Sequence, residues 1–255
     1  MLKKQKMRTN YKGISINTSK NTHKKIFSLI NNNKENFIVD IPCGSGAFTQ
    51  RLKDNNYNNI FAIDIKNEME IDHDNFIIGN MNDKLPFKDE SIDTLVCIDG
   101  IEHINKQFDF VDEVYRILKI NGEFIISTPN ISSLRSRWKW LTTGHHHKCN
   151  SPLDETNPNP LHHISMISYP EIRYLLHTKG FRINTVTTNR IKIINWLFLI
   201  FIPLVYILTS WVYYKTGKKN NMKIINSEIK KRMFSLPVLL GETLIVKAKK
   251  IGNIH

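Results

Sequence analysis

The segment Phe37-Ile38-Val39-Asp40-Ile41-Pro42-Cys43-Gly44-Ser45-Gly46-Ala47-Phe48 limits what this chain can fold into more than any other. It starts as a short apolar strand, tightens into a turn of small residues, and ends where a helix begins. Gly44 and Gly46 let backbone come within contact distance of a ligand, and the helix start offers unpaired N–H groups. Strand, turn and helix together make a floor for a nucleotide-like molecule. The next apolar run, Asn59-Ile60-Phe61-Ala62-Ile63-Asp64, ends in an acid. That acid falls about 20 residues beyond the glycines, where a carboxylate accepts from two ribose hydroxyls.

This spacing suits NAD and S-adenosylmethionine equally, and two details separate them. The three-glycine fingerprint that cradles a pyrophosphate is absent. Asp40 stands inside the turn motif, and an acid there suits a ligand with a cationic amino group better than a diphosphate.

Four motifs follow in order: Asp40-x-x-Cys43-Gly44-Ser45-Gly46, then Asp64, then Leu85-Pro86-Phe87-x-x-x-Ser91-Ile92-Asp93, then Ile101-Glu102-His103-Ile104. This order resembles the class I S-adenosylmethionine-dependent methyltransferases. It is most similar to the branch that holds the ubiquinone-biosynthesis O-methyltransferases and methyltransferase type 11. The likeness covers roughly residues 37–188 and the last strand. It implies an α/β fold: a Rossmann-like, seven-stranded, mostly parallel sheet with helices on both faces. Strands are expected at 37–41, 60–64, 75–79, 93–99, 123–128, 181–188 and 241–248. Helices are expected at 18–33, 46–54, 107–119 and 169–179.

The resemblance also assigns candidate roles. Asp64 would hold the ribose, and Cys43, Gly44 and Gly46 would bring backbone to the cofactor. Asp40 would meet the methionine amino group; the rival reading is an aspartate that caps the turn. Asn80 stands where relatives commonly carry Asp against the adenine, and its carbonyl oxygen still accepts. Pro42 departs from the usual glycine and has no N–H to offer. At the end of the fourth strand, Asp99, Glu102 and His103 fall at the carboxyl edge where such sheets gather ligands. Asp99 belongs either to the cofactor wall or, with Glu102 and His103, to a divalent cation site for Mg. His103 is alternatively a general base, since its ordinary pKa is near the working pH. His163, ahead of the 169–179 helix, is a second base candidate. His145-His146-His147 is consecutive and so cannot converge on one ion.

Charge is unevenly placed. Residues 1–36 carry nine Lys/Arg against one acid, residues 37–130 eight against seventeen, and residues 131–255 nineteen against five. An acidic cofactor-binding part is therefore flanked by basic segments, which imply an anionic surface as partner. Three cysteines and no apolar N-terminal run point to a reducing cytoplasm.

Residues 193–214 contain no charged side chain and match the ~20 apolar residues of a bilayer span. A single crossing would strand the last strand on the wrong side of the membrane from its sheet. A helix, or a hairpin broken at Pro203, lying in the interface resolves that conflict. Trp196, Trp211, Tyr213 and Tyr214 would then sit at headgroup depth. A helical lid buried on the domain or at a dimer interface is the rival. The domains expected are 1–36, basic segment and helix; 37–190 with 241–252, methyltransferase domain; and 191–240, insertion. The function expected is O-methylation of a lipid, isoprenoid or lipid-linked glycan at a membrane surface. The alternatives are a nucleic-acid methyltransferase or binder using the basic aromatic stretch 131–150, and a cofactor-binding partner subunit without catalysis.

Overall fold

A computed structural model describes residues 9–149, 152–157, 159–220 and 222–252; the basic opening at residues 1–8 lies outside them. A two-stranded hairpin, β1 (Asn10–Tyr11) and β2 (Ile14–Ser15), precedes helix α1 (Thr22–Phe27). Next come β3 (Ile38–Asp40), α2 (Ala47–Lys53), β4 (Ile60–Asp64), β5 (Phe76–Ile78), β6 (Ile92–Ile98), α3 (Gln107–Ile117) and β7 (Leu118–Pro129). After α4 (Leu134–Thr143), α5 (Tyr169–Thr178) and β8 (Phe181–Thr188) come α6 (Ile202–Asn220), α7 (Lys223–Met233), α8 (Leu236–Leu240) and β9 (Thr243–Lys250).

The main sheet has seven strands in the order β5-β4-β3-β6-β7-β9-β8. Pairing is parallel from β5 to β7, and β9 runs antiparallel to both β7 and β8. The apolar runs feed both faces of this sheet. Leu95 and Cys97 of β6 face the α3/α5 side, and Val96 and Ile98 face α1 and α2. Such two-sided burial is why these strands read as continuous rather than alternating hydrophobic runs.

Three expected elements differ. The 18–33 helix shrinks to α1, whose N-cap is Asn21 in a left-handed conformation. The 107–119 helix stops at Ile117, and Asn121-Gly122 lies inside β7, where the register slips between Ile92↔Leu118 and Thr94↔Glu123 and Asn121 adopts φ +67°. The apolar insertion is a 3-10 segment, Ile193–Phe201, running into α6, so the helix type changes just before Pro203 and no hairpin turns there.

The insertion is not a buried lid. Phe198, Leu199, Ile202 and Val205 pack onto Leu134, Leu239 and Leu240, and Asn195 Nδ2 donates to the Leu240 carbonyl at 2.6 Å. Only 6% of its most apolar stretch is buried; Ile193 is 89% exposed and Ile200 77%.

Candidate active site

The carboxyl ends of β3, β4 and β6 open onto a cavity of about 730 Å³, lined by Asp40, Cys43, Gly44, Asp64, Asn80, Asp99, Glu102, His103 and His163. That is the size of a cofactor pocket. Gly44 adopts φ +52° with open space where a Cβ would point, and its N–H donates to Asp64 Oδ2 at 2.8 Å. Gly46 is not in the wall. It is the α2 N-cap at φ +81°, and a Cβ there would meet Met69 and Ile71 within 2.9 Å, so its smallness serves packing behind the turn.

Asp40 is buried, with Oδ2 accepting from Thr49 Oγ1 of α2 at 2.7 Å and Oδ1 without a partner. Burial, with the nearby Asp64 charge, pushes its pKa up to about 7. Asp64 is also raised by burial, against the pull of the Gly44 and Ile65 N–H groups. Burial drives the Cys43 thiol up too, so it is no nucleophile at neutral pH. Asn80 closes a turn, its carbonyl oxygen accepting from Asn82 N at 2.9 Å.

Beyond β6 the chain makes a 3-10 turn, Ile101–His103. Ligand atoms of Glu102, His103 and His163 lie within 4.8 Å of one another. The cation site expected from Asp99, Glu102 and His103 is thus rearranged: His163 takes the place of Asp99. Two contacts explain it. Asp99 Oδ1 accepts from Ser127 Oγ of β7 at 2.7 Å, and Gln107 Nε2 binds both the Ile101 and Ser165 carbonyls, strapping the 162–165 loop onto the turn.

His103 Nδ1 lies 3.1 Å from the His162 carbonyl, so Nδ1 donates and Nε2 carries the lone pair. Burial lowers both imidazoles, His163 to about 4, where the neighbouring His103 adds to the effect. Glu102 is fully buried, neither oxygen is hydrogen-bonded, and burial plus the Asp99 charge raise its pKa well above the carboxylate range. An orphaned buried carboxyl beside two imidazoles fits a divalent cation. Two nitrogens and one oxygen suit zinc, manganese or iron better than Mg, which takes oxygens.

Sequence reasoning missed Thr49, Ser127 and Lys148, which position or line the site. Thr49 is one turn into the helix after the glycines, where its hydroxyl was a legible partner for Asp40. His146 lies parallel to Trp140, 6.1 Å between centroids, and the three consecutive histidines contribute nothing to the metal-capable group among the described residues.

Residues 39–126 match a protein family described as a methyltransferase domain. Over residues 39–126 the chain carries a methyltransferase domain. A protein of Mycolicibacterium smegmatis described as a probable S-adenosylmethionine-dependent methyltransferase is 33% identical over 105 residues, 41% of this chain and 34% of that one. The chain spans less than half the length of the curated relatives it matches. Among solved structures, a SAM-dependent methyltransferase from Archaeoglobus fulgidus superposes with TM-score 0.56 at 17% identity, covering 89% of this chain and 92% of that one. The methyltransferase in a complex with the Haloferax volcanii Trm112 activator gives TM-score 0.55 at 17% identity over 90% and 89%. At these identities the structures speak to the fold alone. The methyltransferase domain implies S-adenosylmethionine, and the open cradle at Gly44 and the unpartnered buried oxygen of Asp40 fit it.

Proposed function

We propose that this chain is a methyltransferase that docks on a membrane surface and transfers a methyl group to a hydroxyl oxygen of a lipid, isoprenoid or lipid-linked glycan. One observation carries the membrane part: an apolar segment, Ile193–Thr216, long enough to span a bilayer yet left almost wholly uncovered by its own domain. A soluble monomer rarely exposes so large an apolar surface. Trp196, Trp211 and Tyr214 stand exposed along it, and the Lys215 ammonium lies 3.8 Å from the Trp211 ring centroid. Aromatic rings beside cations fit the headgroup layer of an anionic leaflet. Burying each large side chain contributes about 1.5–3 kcal/mol, so a handful suffices for stable docking.

When bound, S-adenosylmethionine supplies an electrophilic methyl on a sulfonium. Asp64 holds the ribose hydroxyls, and Gly44 lets backbone lie against the ligand. Asp40 meets the amino group, Asn80 the adenine edge, and Cys43 and Asp99 complete the wall. His103, with its tautomer set by the His162 carbonyl, accepts the acceptor's hydroxyl proton at Nε2, and His163 is the alternative base. Catalysis then rests on proximity and in-line alignment. Alternatively, the same Nε2 joins Glu102 and His163 in holding a divalent cation that would orient and polarise the acceptor hydroxyl.

Flotation with anionic liposomes, beside calorimetry with S-adenosylhomocysteine, tests both halves. The intact chain is expected to float and to bind the product. A version lacking 193–214 is expected to bind it without floating. If the intact chain stays at the bottom, the membrane half fails, and an activator-like protein partner covers the segment instead.

A further inference from the structure

Where the insertion leaves the sheet, cations outnumber acids around one buried carboxylate. The Glu242 side chain is 3% exposed and sits just before β9. Lys148 Nζ reaches its Oε1 at 2.9 Å and Lys192 Nζ the same oxygen at 2.8 Å, while Arg190 Nε binds Oε2. Three cations against one carboxylate leave two positive charges, and these side chains are a quarter to a third exposed. Beside it, Arg135 of α4, Lys148 and Lys192 all help burial hold His147 down to about 4.

One buried carboxylate does not need three cations. The donors also have capacity left: Arg190 engages Glu242 through Nε, and among the described residues its Nη atoms make no hydrogen bond. Concentrated positive charge with unused forked donors is the arrangement that recognises phosphate.

Location supplies the second argument. Lys148 and Thr243 line the cavity that holds His103 and His163. Lys192 directly precedes Ile193, the first residue of the exposed apolar segment. The cluster therefore lies between the reaction cavity and the lipid-facing helix. Lys148 also bonds Ser19 Oγ and is held at φ +69°, a conformation uncommon for a non-glycine residue.

We propose that Lys148, Arg190 and Lys192 form a binding site for a phosphomonoester, the anionic group of the acceptor, with Glu242 spacing the cations. The two uncompensated charges match a phosphate of charge near −2. This rests on the reading of the chain as a membrane-docked methyltransferase and names the acceptor's recognised group.

The test uses the full-length chain and three probes: phosphatidylcholine vesicles containing phosphatidic acid, the same vesicles with phosphatidylglycerol, and free glycerol 3-phosphate. S-adenosylhomocysteine affinity is measured alongside. Phosphatidic acid vesicles are expected to bind about tenfold or more tighter than phosphatidylglycerol vesicles, in proportion to one or two charge-assisted hydrogen bonds. Arg190→Gln with Lys192→Gln is expected to abolish that preference and leave S-adenosylhomocysteine affinity unchanged. Lys223→Gln with Lys231→Gln, removing equal charge from exposed α7, is expected to keep it. Glycerol 3-phosphate binding as tightly as the vesicles supports the site and makes its source a soluble phosphate. If the paired variant fails to fold, Lys192→Gln alone decides; an unchanged preference overturns the proposal. A parent chain that binds S-adenosylhomocysteine but shows neither preference nor glycerol 3-phosphate binding overturns it too and leaves the methyltransferase reading standing. Phosphate binding without S-adenosylhomocysteine binding sinks that reading instead.

Discussion

His103 and His163 come from separate loops yet pack edge to face, ring centroids 4.8 Å apart at 73°, with the His162 carbonyl fixing the Nδ1 proton of His103. If His103 is the base, His103→Ala lowers kcat by about 10²–10⁴-fold with little change in S-adenosylhomocysteine affinity. Because both imidazoles titrate below their ordinary value, the acid limb of kcat lies below about pH 6.5. A limb at or above 6.5 removes both from the role.

The same shifts set a stability trend. His163 and His147 stay neutral down to about pH 4 in the folded chain, while the unfolded chain takes up their protons below about 6.5. The unfolded state then binds more protons, so stability falls as pH drops from about 6.5 toward 4. Urea midpoints at pH 7.5 and pH 5 measure this directly. His163→Asn should flatten the dependence.

Asp40 works in the opposite sense. Its folded pKa of about 7 exceeds the unfolded value, so the apo chain gives up stability as pH rises through the range between them. A cationic amino group favours the carboxylate, so cofactor affinity is expected to rise from pH 6 to pH 8 with release of a proton. Calorimetry in buffers of different ionisation enthalpy counts that proton. Asp40→Asn should abolish the release and weaken binding about tenfold or more.

A divalent ion at Glu102, His103 and His163 should raise the melting temperature. Zinc or manganese is expected to stabilise the parent by several degrees while magnesium does little. Glu102→Gln should remove the effect. Equal shifts in parent and variant would place the metal elsewhere.

Charge placed on the apolar insertion separates a lipid-facing surface from a packed one. Ile200 is exposed, so Ile200→Glu should change stability by no more than about 0.5 kcal/mol while sharply weakening liposome flotation. A loss of several kcal/mol would mean that the residue is packed against something.

The sheet was legible because β3, β4 and β6 are local apolar runs that end in the acids and turns of the site, and period and spacing suffice for those. The site was legible where its residues sit at strand ends: Asp40, Asp64 and the Glu102-His103 pair all line the cavity. What was not legible is non-local. No pattern in the chain says that Ser127 claims Asp99, that Gln107 pulls His163 beside His103, or that Lys148 meets Glu242. The insertion's composition announced an apolar surface, but only packing showed how little of it the domain covers.

If Asp64, tied to the Gly44 N–H at 2.8 Å, grips the cofactor's sugar, its removal must cost cofactor affinity. Calorimetry of S-adenosylhomocysteine binding to the parent and to Asp64→Ala tests it most directly. The expected result is a saturable parent site and an affinity weakened by about a hundredfold in the variant, the loss of two charge-assisted hydrogen bonds. A parent that ignores the ligand, or a variant that binds it as tightly, contradicts the claim.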